Sequence, residues 1–217
     1  MKKGIIFDMD GTIWDSSENV AKSWDIQVKK AGYTDQEVTQ ADIKSVMGKT
    51  MDVIADLLFP YTKEGEERNS LRKACEEYEN EYLRENGGEL YPEVVETLQA
   101  LKDMGYHLYI VSNCQAGYIE AFLEYFNIDI TKEDALIDDI ECYGNNFLSK
   151  GENIALVVKR NNLDKAVYVG DIQSDYDSTC EAGLPFIHAA YGFGTINTDV
   201  PKIDTFADLT KVIKEVI

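Results

Sequence analysis

Residues 4–12 read GIIFDMDGT, and this stretch decides the fold. The short apolar run ahead of Asp8 stops abruptly in acidic residues and glycine, which is typical of a buried strand that delivers carboxylates at its carboxyl end. A turn at Gly11 redirects Asp10 relative to Asp8, so that both side chains can address one ligand. From residue types alone, a solvated loop or a helix N-cap explains the acidic pair equally well.

Similar apolar segments recur along the chain, each followed by polar or glycine-rich sequence. These predicted strands cover residues 4–7, 106–111, 166–169 and 186–190. Helical patterns lie between them, over residues 93–104, 116–126 and 153–160. Strands that alternate with helices indicate βα units, a parallel sheet and ligands bound beyond the carboxyl ends of the strands. The sequence therefore predicts an α/β fold.

Between residues 15 and 88 the pattern changes to long amphipathic helices without a persuasive strand. Helices are predicted there over residues 20–31, 35–47 and 64–86. The turn after residues 10–12 and the sequence Asn86-Gly87-Gly88 mark the two borders. We therefore expect a core domain formed by residues 1–14 and 89–217, with an all-helical insert over residues 15–88.

Composition and charge exclude several functional classes. The chain of 217 residues is 44% hydrophobic and 28% charged, as soluble globular proteins are, and no apolar run approaches the ~20 residues that cross a bilayer. Acidic residues outnumber Lys and Arg by 40 to 21, which disfavours nucleic acid as a partner. Asp8 ends the N-terminal apolar stretch too early for a signal peptide. Four dispersed cysteines, without a CxxC pair, favour reduced thiols, so we expect a cytoplasmic protein.

A second acidic cluster follows another predicted strand. Residues 170–175 read GDIQSD, and helix capping is the simplest explanation of Asp175. Two strand ends with paired acids would place at least three carboxylates at one sheet edge, which is costly unless a hard cation binds. Mg²⁺ suits such oxygen-only ligands best. Lys150 and Ser112 are candidates to hold a phosphoryl group. Taken individually, Lys150 fits a surface lysine better and Ser112 fits an N-cap better, and both gain weight only from the whole set of motifs.

Taken together, these motifs resemble those of the haloacid dehalogenase superfamily, in order and across nearly the whole chain. The family motif DxDGT is found at residues 8–12, the serine motif at residues 110–113 (IVSN), the motif lysine at Lys150, and GDxxxD at residues 170–175. The resemblance implies a Rossmann-like parallel sheet with helices on both faces. The helical insert looks like the small cap of the phosphoglycolate phosphatase and β-phosphoglucomutase relatives.

The resemblance also implies roles for the acidic residues. Asp8 would be the nucleophile and a Mg²⁺ ligand, Asp10 would supply a backbone carbonyl to the metal and act as general acid/base, and Asp171 would complete the protein ligands. Asp175 would orient Lys150 or a metal-bound water. The acid at position 10 disfavours dehalogenation, because a departing halide needs no proton.

Three further residues complete the predicted site. Ser112 and Lys150 would stabilise the transferred phosphoryl group, with Asn113 in a supporting role. Lys150 departs from the family pattern, since Gly151 follows it where a proline is usual.

The competing lysines for this motif are Lys132, Lys159 and Lys165, and they fit worse than Lys150, which alone begins a helical segment after a predicted sheet edge. In the insert, a turn is predicted at residues 47–50 (MGKT), and two interpretations of Lys49 in it stay open: contact with the substrate, or simple exposure to solvent.

The predicted function is a Mg²⁺-dependent phosphatase that hydrolyses a small phosphomonoester, of the phosphoglycolate or sugar-phosphate type, through an aspartyl-phosphate. A phosphosugar mutase, a phosphonate hydrolase with Lys49 as Schiff-base nucleophile, and a non-catalytic binding protein remain alternatives. The expected partner is a small phosphorylated molecule, without nucleic acid or membrane, and the protein is expected to be a monomer or small homo-oligomer.

Overall fold

The computed structural model describes residues 1–132 and 134–217, and a six-stranded sheet forms its centre. The strands are β1 (Lys3–Phe7), β4 (His107–Ser112), β5 (Asp139–Cys142), β6 (Lys165–Gly170), β7 (Phe186–Ala189) and β8 (Lys202–Ile203). Their order is β5-β4-β1-β6-β7-β8, and every neighbouring pair is parallel. The predicted parallel sheet is therefore confirmed.

Alternate residues of each strand point to opposite faces of the sheet, and helices pack against both faces. Phe7 of β1 joins a hydrophobic cluster with Leu98 and Phe122, whereas Ile6 joins a second cluster with Ile154. The helices after the insert are α5 (Val94–Asp103), α6 (Tyr118–Tyr125), α7 (Tyr143–Asn146), α8 (Lys150–Arg160), α9 (Gln173–Glu181) and α10 (Leu209–Val216). The sheet is thus buried on both faces, as its near-continuous apolar strands require.

The strand order places a ligand crevice beside β1. The chain leaves β1 for β4 and β5 on one side and returns to β6, β7 and β8 on the other, so β1 lies at the point where the direction of winding reverses. In open α/β sheets, ligands bind outside the carboxyl ends of the strands at such a point. Residues that follow β1, β4 and β6 therefore meet there.

The segment between residues 17 and 86 is helical. Its helices are α1 (Ser17–Lys30), α2 (Gln40–Val46), α3 (Met51–Leu58) and α4 (Glu66–Asn86). The predicted start of the second helix at residue 35 is wrong, because Thr39 and Asp42 form a capping box that begins α2 at Gln40. A separate helix α3 was not anticipated.

A short antiparallel pair joins the helical segment to the core. The strands β2 (Trp14–Asp15) and β3 (Glu89–Leu90) pair Trp14 with Leu90 and Asp15 with Glu89. The division into a core and an insert over residues 15–88 remains a prediction. Across residues 1–132 and 134–217, no helix has the length and apolar character needed to cross a membrane.

Candidate active site

A buried lysine joins two carboxylates at the carboxyl edge of the sheet. Lys150 Nζ lies 2.9 Å from Asp8 Oδ1 and 2.6 Å from Asp175 Oδ1. Lys150 is the first residue of α8, which begins there because Ser149 and Glu152 form a capping box. All three charged side chains are almost completely shielded from solvent. Lys150 is therefore part of the site rather than a surface lysine.

Asp175 combines this ion pair with helix capping. Its Oδ2 accepts hydrogen bonds from the backbone N–H groups of Asp171 (3.0 Å) and Ile172 (3.2 Å). The capping explanation for Asp175 is thus correct, yet the same carboxylate also holds Lys150. The arrangement fixes the loop after β6 against the lysine, and through it against Asp8.

Asp171 has a buried carboxylate oxygen that is available to a ligand. Its Oδ2 accepts a hydrogen bond from the Phe193 backbone N–H at 2.7 Å, whereas its buried Oδ1 has no hydrogen-bond partner. Oxygen atoms of Asp8, Asp171 and Asp175 lie within 4.8 Å of one another. An all-oxygen donor set with an orphaned buried carboxylate oxygen fits a hard divalent cation such as Mg²⁺.

The pKa values of the cluster also favour a bound cation. Burial, opposed by Lys150, raises the pKa of Asp8 to about 7. Burial together with the charges of Asp175 and Asp8 raises the pKa of Asp171 to about 8. For Lys150, burial opposes the charged form, but Asp175 and Asp8 beside it raise its pKa well above the usual value. One lysine thus faces three carboxylates, and a bound cation would balance the remaining negative charge.

Asp10 is held apart from this cluster by two hydroxyl groups. Its Oδ1 accepts hydrogen bonds from Ser16 Oγ at 2.7 Å and from Tyr118 OH at 2.8 Å. Those two hydroxyls also lie 2.7 Å from each other. Burial raises the pKa of Asp10 to about 6, although both hydrogen bonds lower it. The two acids that follow β1 therefore occupy different environments, which is how a site separates two carboxyl roles.

The remaining predicted residues lie along the border with the helical segment. Ser112 is the last residue of β4 and is buried; it is not an N-cap, because α6 begins at Tyr118. Asn113 Nδ2 donates to the Gly48 carbonyl at 2.9 Å, which ties the core to the turn between α2 and α3. Lys49 in that turn is exposed and borders the same cavity as Asp10 and Ser112.

Sequence reasoning missed four contributors to this region: the hydroxyls of Ser16 and Tyr118, the Phe193 backbone N–H, and Glu79. Phe193 lies in the loop that follows β7. For Glu79 a signal was present, because Leu71, Cys75 and Leu83 share its buried face of α4 at four-residue spacing. A glutamate in such an apolar series is a reason to look for a function.

Comparisons with known proteins agree with this geometry. A family profile described as "Haloacid dehalogenase-like hydrolase" matches residues 5–189. The phosphoglycolate phosphatase of Vibrio vulnificus (strain YJ016) is 27% identical over an alignment of 226 positions, which covers 97% of this chain and 96% of that protein.

Solved structures share the fold. The crystal structure of a predicted phosphoglycolate phosphatase from Haemophilus somnus has a TM-score of 0.78 at 23% identity and covers 98% of both chains. CbbY from Rhodobacter sphaeroides, in complex with phosphate, has a TM-score of 0.76 at 17% identity and covers 96% of both chains. Both matches extend over the helical segment as well as the sheet.

Proposed function

We propose that this chain, which belongs to the haloacid dehalogenase-like hydrolase family, is a Mg²⁺-dependent phosphatase that hydrolyses a small phosphomonoester through an aspartyl-phosphate. The observation that carries the proposal is the pairing of Asp8 with Lys150 beside Asp171, while Asp10 is held separately by two hydroxyls. Phosphoryl transfer needs a nucleophile, concentrated positive charge and a separate proton donor. In this site Asp8 would be the nucleophile and Asp10 the proton donor. The names of the relatives support a phosphate ester as substrate.

In the first step, a carboxylate oxygen of Asp8 attacks the phosphorus atom, and the bond between phosphorus and the leaving oxygen breaks. The carboxylic acid of Asp10 gives its proton to that oxygen, so the product leaves as a neutral alcohol. Lys150 and Ser112 donate hydrogen bonds to the phosphoryl oxygens. Asp8 then carries the phosphoryl group as an acyl phosphate.

In the second step, a water molecule attacks the phosphorus atom of the aspartyl-phosphate. The Asp10 carboxylate takes the proton of this water and thereby returns to its acidic form, while the electron pair of the broken bond returns to Asp8. Inorganic phosphate is released. Ser16 and Tyr118 keep Asp10 oriented through both transfers, since each donates to the same carboxylate oxygen.

The cation would be held by side-chain oxygens of Asp8 and Asp171 and by the backbone carbonyl of Asp10. When bound, Mg²⁺ would neutralise part of the negative charge on the phosphoryl group. Asp175 acts indirectly, because it positions Lys150 and the backbone that carries Asp171. We further propose that residues 15–88 form a cap that excludes water, with the contact between Asn113 and Gly48 on its closing edge.

The phosphonate alternative gains no support from the site. Schiff-base chemistry needs a lysine that is desolvated or lies beside another cation, whereas Lys49 is exposed. A mutase would use the same groups as a phosphatase, and no contact in the site favours it.

The test measures phosphate release from a panel of phosphomonoesters, including p-nitrophenyl phosphate, with Mg²⁺ and with EDTA. We expect release that requires Mg²⁺ and that Asp8→Asn abolishes, because the amide is a poor nucleophile. Full turnover by Asp8→Asn, or Mg²⁺-independent release, would contradict the mechanism. An isomeric sugar phosphate as product would identify a mutase.

Metal binding has an independent readout in thermal unfolding. At about 100 times its Kd, Mg²⁺ should stabilise the wild type by about 2.7 kcal/mol. Asp171→Asn should lose this stabilisation, whereas Asp177→Asn, which changes an exposed acid on α9, should keep it. An equal shift in all three proteins would place the cation elsewhere.

A further inference from the structure

A small cavity separates the acids of the core from the helical segment. It is partly open to solvent and has a volume of about 40 Å³. Its wall includes Asp10 and Ser112 from the core side, and Trp24, Ile43, Met51 and Glu79 from the helical side. A cavity of this volume has room for only a few atoms. Because Asp10 is the proposed proton donor to the leaving oxygen, this cavity receives the alcohol part of the substrate, which must be short.

Glu79 is the unusual member of the wall. It is 3% exposed and accepts a hydrogen bond from Trp24 Nε1. Among the ion pairs of residues 1–132 and 134–217, none includes Glu79. A buried carboxyl without a cation costs free energy that an apolar residue at this position of α4 would not. Such a group is a candidate for function rather than for stability.

Two acids, Asp10 and Glu79, therefore line the cavity. Burial, with a smaller contribution from Asp10, raises the pKa of Glu79 to about 8. The hydrogen bond from Trp24 Nε1 opposes this rise and uses Glu79 as its acceptor. Lys49 borders the cavity with an exposed side chain. Above a pH of about 8, where Glu79 is ionised, a carboxylate on the substrate would meet negative charge here, whereas a hydroxyl or ammonium group would meet an acceptor.

We propose that Glu79 is a specificity-determining residue that selects short phosphomonoesters whose leaving group ends in a hydrogen-bond donor and rejects those that end in a carboxylate. The inference rests on the proposed phosphatase activity and refines its substrate class. A donor end can come from a neutral polyol or from an amino alcohol, and both would bind Glu79 through the same contact. Phosphoglycolate, the substrate in the relatives' names, falls in the rejected class.

The test compares kcat/KM at pH 9, where a carboxyl with a pKa of about 8 is ionised, for four two-carbon monoesters that differ only at the far end. These are 2-hydroxyethyl phosphate, phosphoethanolamine, ethyl phosphate and phosphoglycolate. 2-Hydroxyethyl phosphate and phosphoethanolamine end in a hydrogen-bond donor. We expect the better of these two to have a kcat/KM at least about tenfold above those of ethyl phosphate and phosphoglycolate, as one hydrogen bond to a charged group allows. A higher kcat/KM for 2-hydroxyethyl phosphate would indicate a polyol as leaving group, and a higher kcat/KM for phosphoethanolamine would indicate an amino alcohol.

Variants then assign the preference to Glu79. Glu79→Gln keeps the size and the acceptor for Trp24 but removes the charge, so it should raise kcat/KM for phosphoglycolate relative to phosphoethanolamine about tenfold or more. Glu81→Gln, an exposed glutamate on the same helix, should leave the ranking unchanged. If Glu79→Gln does not fold, Trp24→Phe is the second variant. It removes the hydrogen-bond donor that orients the Glu79 carboxyl, so the differences in kcat/KM among the four esters should become smaller.

Several outcomes would overturn the inference. These are a wild-type preference for phosphoglycolate, a ranking that neither variant changes, or turnover of hexose phosphates but of none of the four short esters. Each of these leaves the phosphatase activity intact, since hydrolysis of p-nitrophenyl phosphate and its loss in Asp8→Asn are measured in parallel. Absence of phosphate release from every ester would overturn the proposed function and this inference with it.

Discussion

The two walls of the candidate site are built differently. At the sheet edge, Lys150, Asp8 and Asp175 hold one another through short, buried contacts that join three separate elements. The wall from the helical segment is mostly apolar and carries one buried carboxyl, Glu79, and one exposed cation, Lys49. A cross-linked charge network tolerates little change, because removing one partner leaves the others buried and unpaired. The sheet edge is therefore suited to fixed chemistry, and the helical wall to substrate choice.

The largest expected effect tests the sheet edge. Asp10→Asn should lower kcat/KM about 10²- to 10⁴-fold for alkyl phosphates, because the variant cannot protonate the leaving alkoxide. The loss of kcat/KM should be much smaller for p-nitrophenyl phosphate, whose leaving phenolate needs no proton, whereas kcat should fall for both classes of ester because Asp10 also takes the proton of the water in the second step. Steady-state rates for the two classes of ester, each with Mg²⁺, provide the measurement.

This comparison of leaving groups carries its own control. If kcat/KM fell equally for both classes of ester, Asp10 would not act as the proton donor to the leaving group. The contrast between the two walls would also weaken if the variant reordered alkyl substrates among themselves, since that property is assigned to the helical wall.

A second prediction concerns stability and pH at the helical wall. The pKa of Glu79 rises from 4.5 to about 8 on folding, with burial as the main cause and Asp10 and Glu76 as additional ones. A carboxyl with a raised folded pKa stabilises the protein below its unfolded pKa, and this contribution is lost as pH rises towards about 8. The loss is at most about 1.4 kcal/mol per pH unit.

Glu79→Gln separates the contribution of Glu79 to the pH dependence of stability from the contributions of the other titrating acids. The difference in unfolding free energy between wild type and variant, measured by urea at several pH values with Mg²⁺ present, should shift in favour of the variant as pH rises. Glu81→Gln should give a curve parallel to that of the wild type. A pH-independent difference for Glu79→Gln would mean that Glu79 is ionised throughout and paired in solution.

Much of the fold and part of the site were readable from sequence, for a physical reason. Parallel strands bring their carboxyl ends to one edge, so polar residues after β1, β4 and β6 had to meet once the strands were recognised. Asp8, Ser112 and Asp171 follow this rule directly. The roles assigned to them remain predictions, although their placement matches what those roles require.

The rest depended on contacts that local patterns do not encode. Tyr118 reaches Asp10 across 108 positions of the chain, and its hydroxyl gave no local signal. The start of α2 was misplaced because the helical pattern continued upstream of the capping box at Thr39. Glu79 could be found only by asking why an acid interrupts an apolar face, and its ligand depends on a cavity formed by distant elements.

A third, smaller effect is expected where the two walls meet. Ser16→Ala and Tyr118→Phe each remove one of the two hydrogen bonds to Asp10. One hydrogen bond contributes about 1 kcal/mol, so each variant should lower kcat for alkyl phosphates roughly fivefold. The acidic or basic limb of the pH–rate profile should move as well, whereas a purely structural role would change stability and leave the profile in place.

The smallest effect tests whether Lys49 attracts substrate from solution. An exposed lysine at the cavity border interacts with a phosphate ester through water, so Lys49→Ala should lower kcat/KM only about 1.5- to 5-fold, mainly through KM. Salt should remove the difference, because the Debye length shrinks to about 3 Å at 1 M ionic strength. Lys30→Ala, at the far end of α1, is the matched control. A loss above about 100-fold, or one that persists in high salt, would show that Lys49 contacts the reacting group, and the division between chemistry in the core and choice in the helical segment would then be wrong.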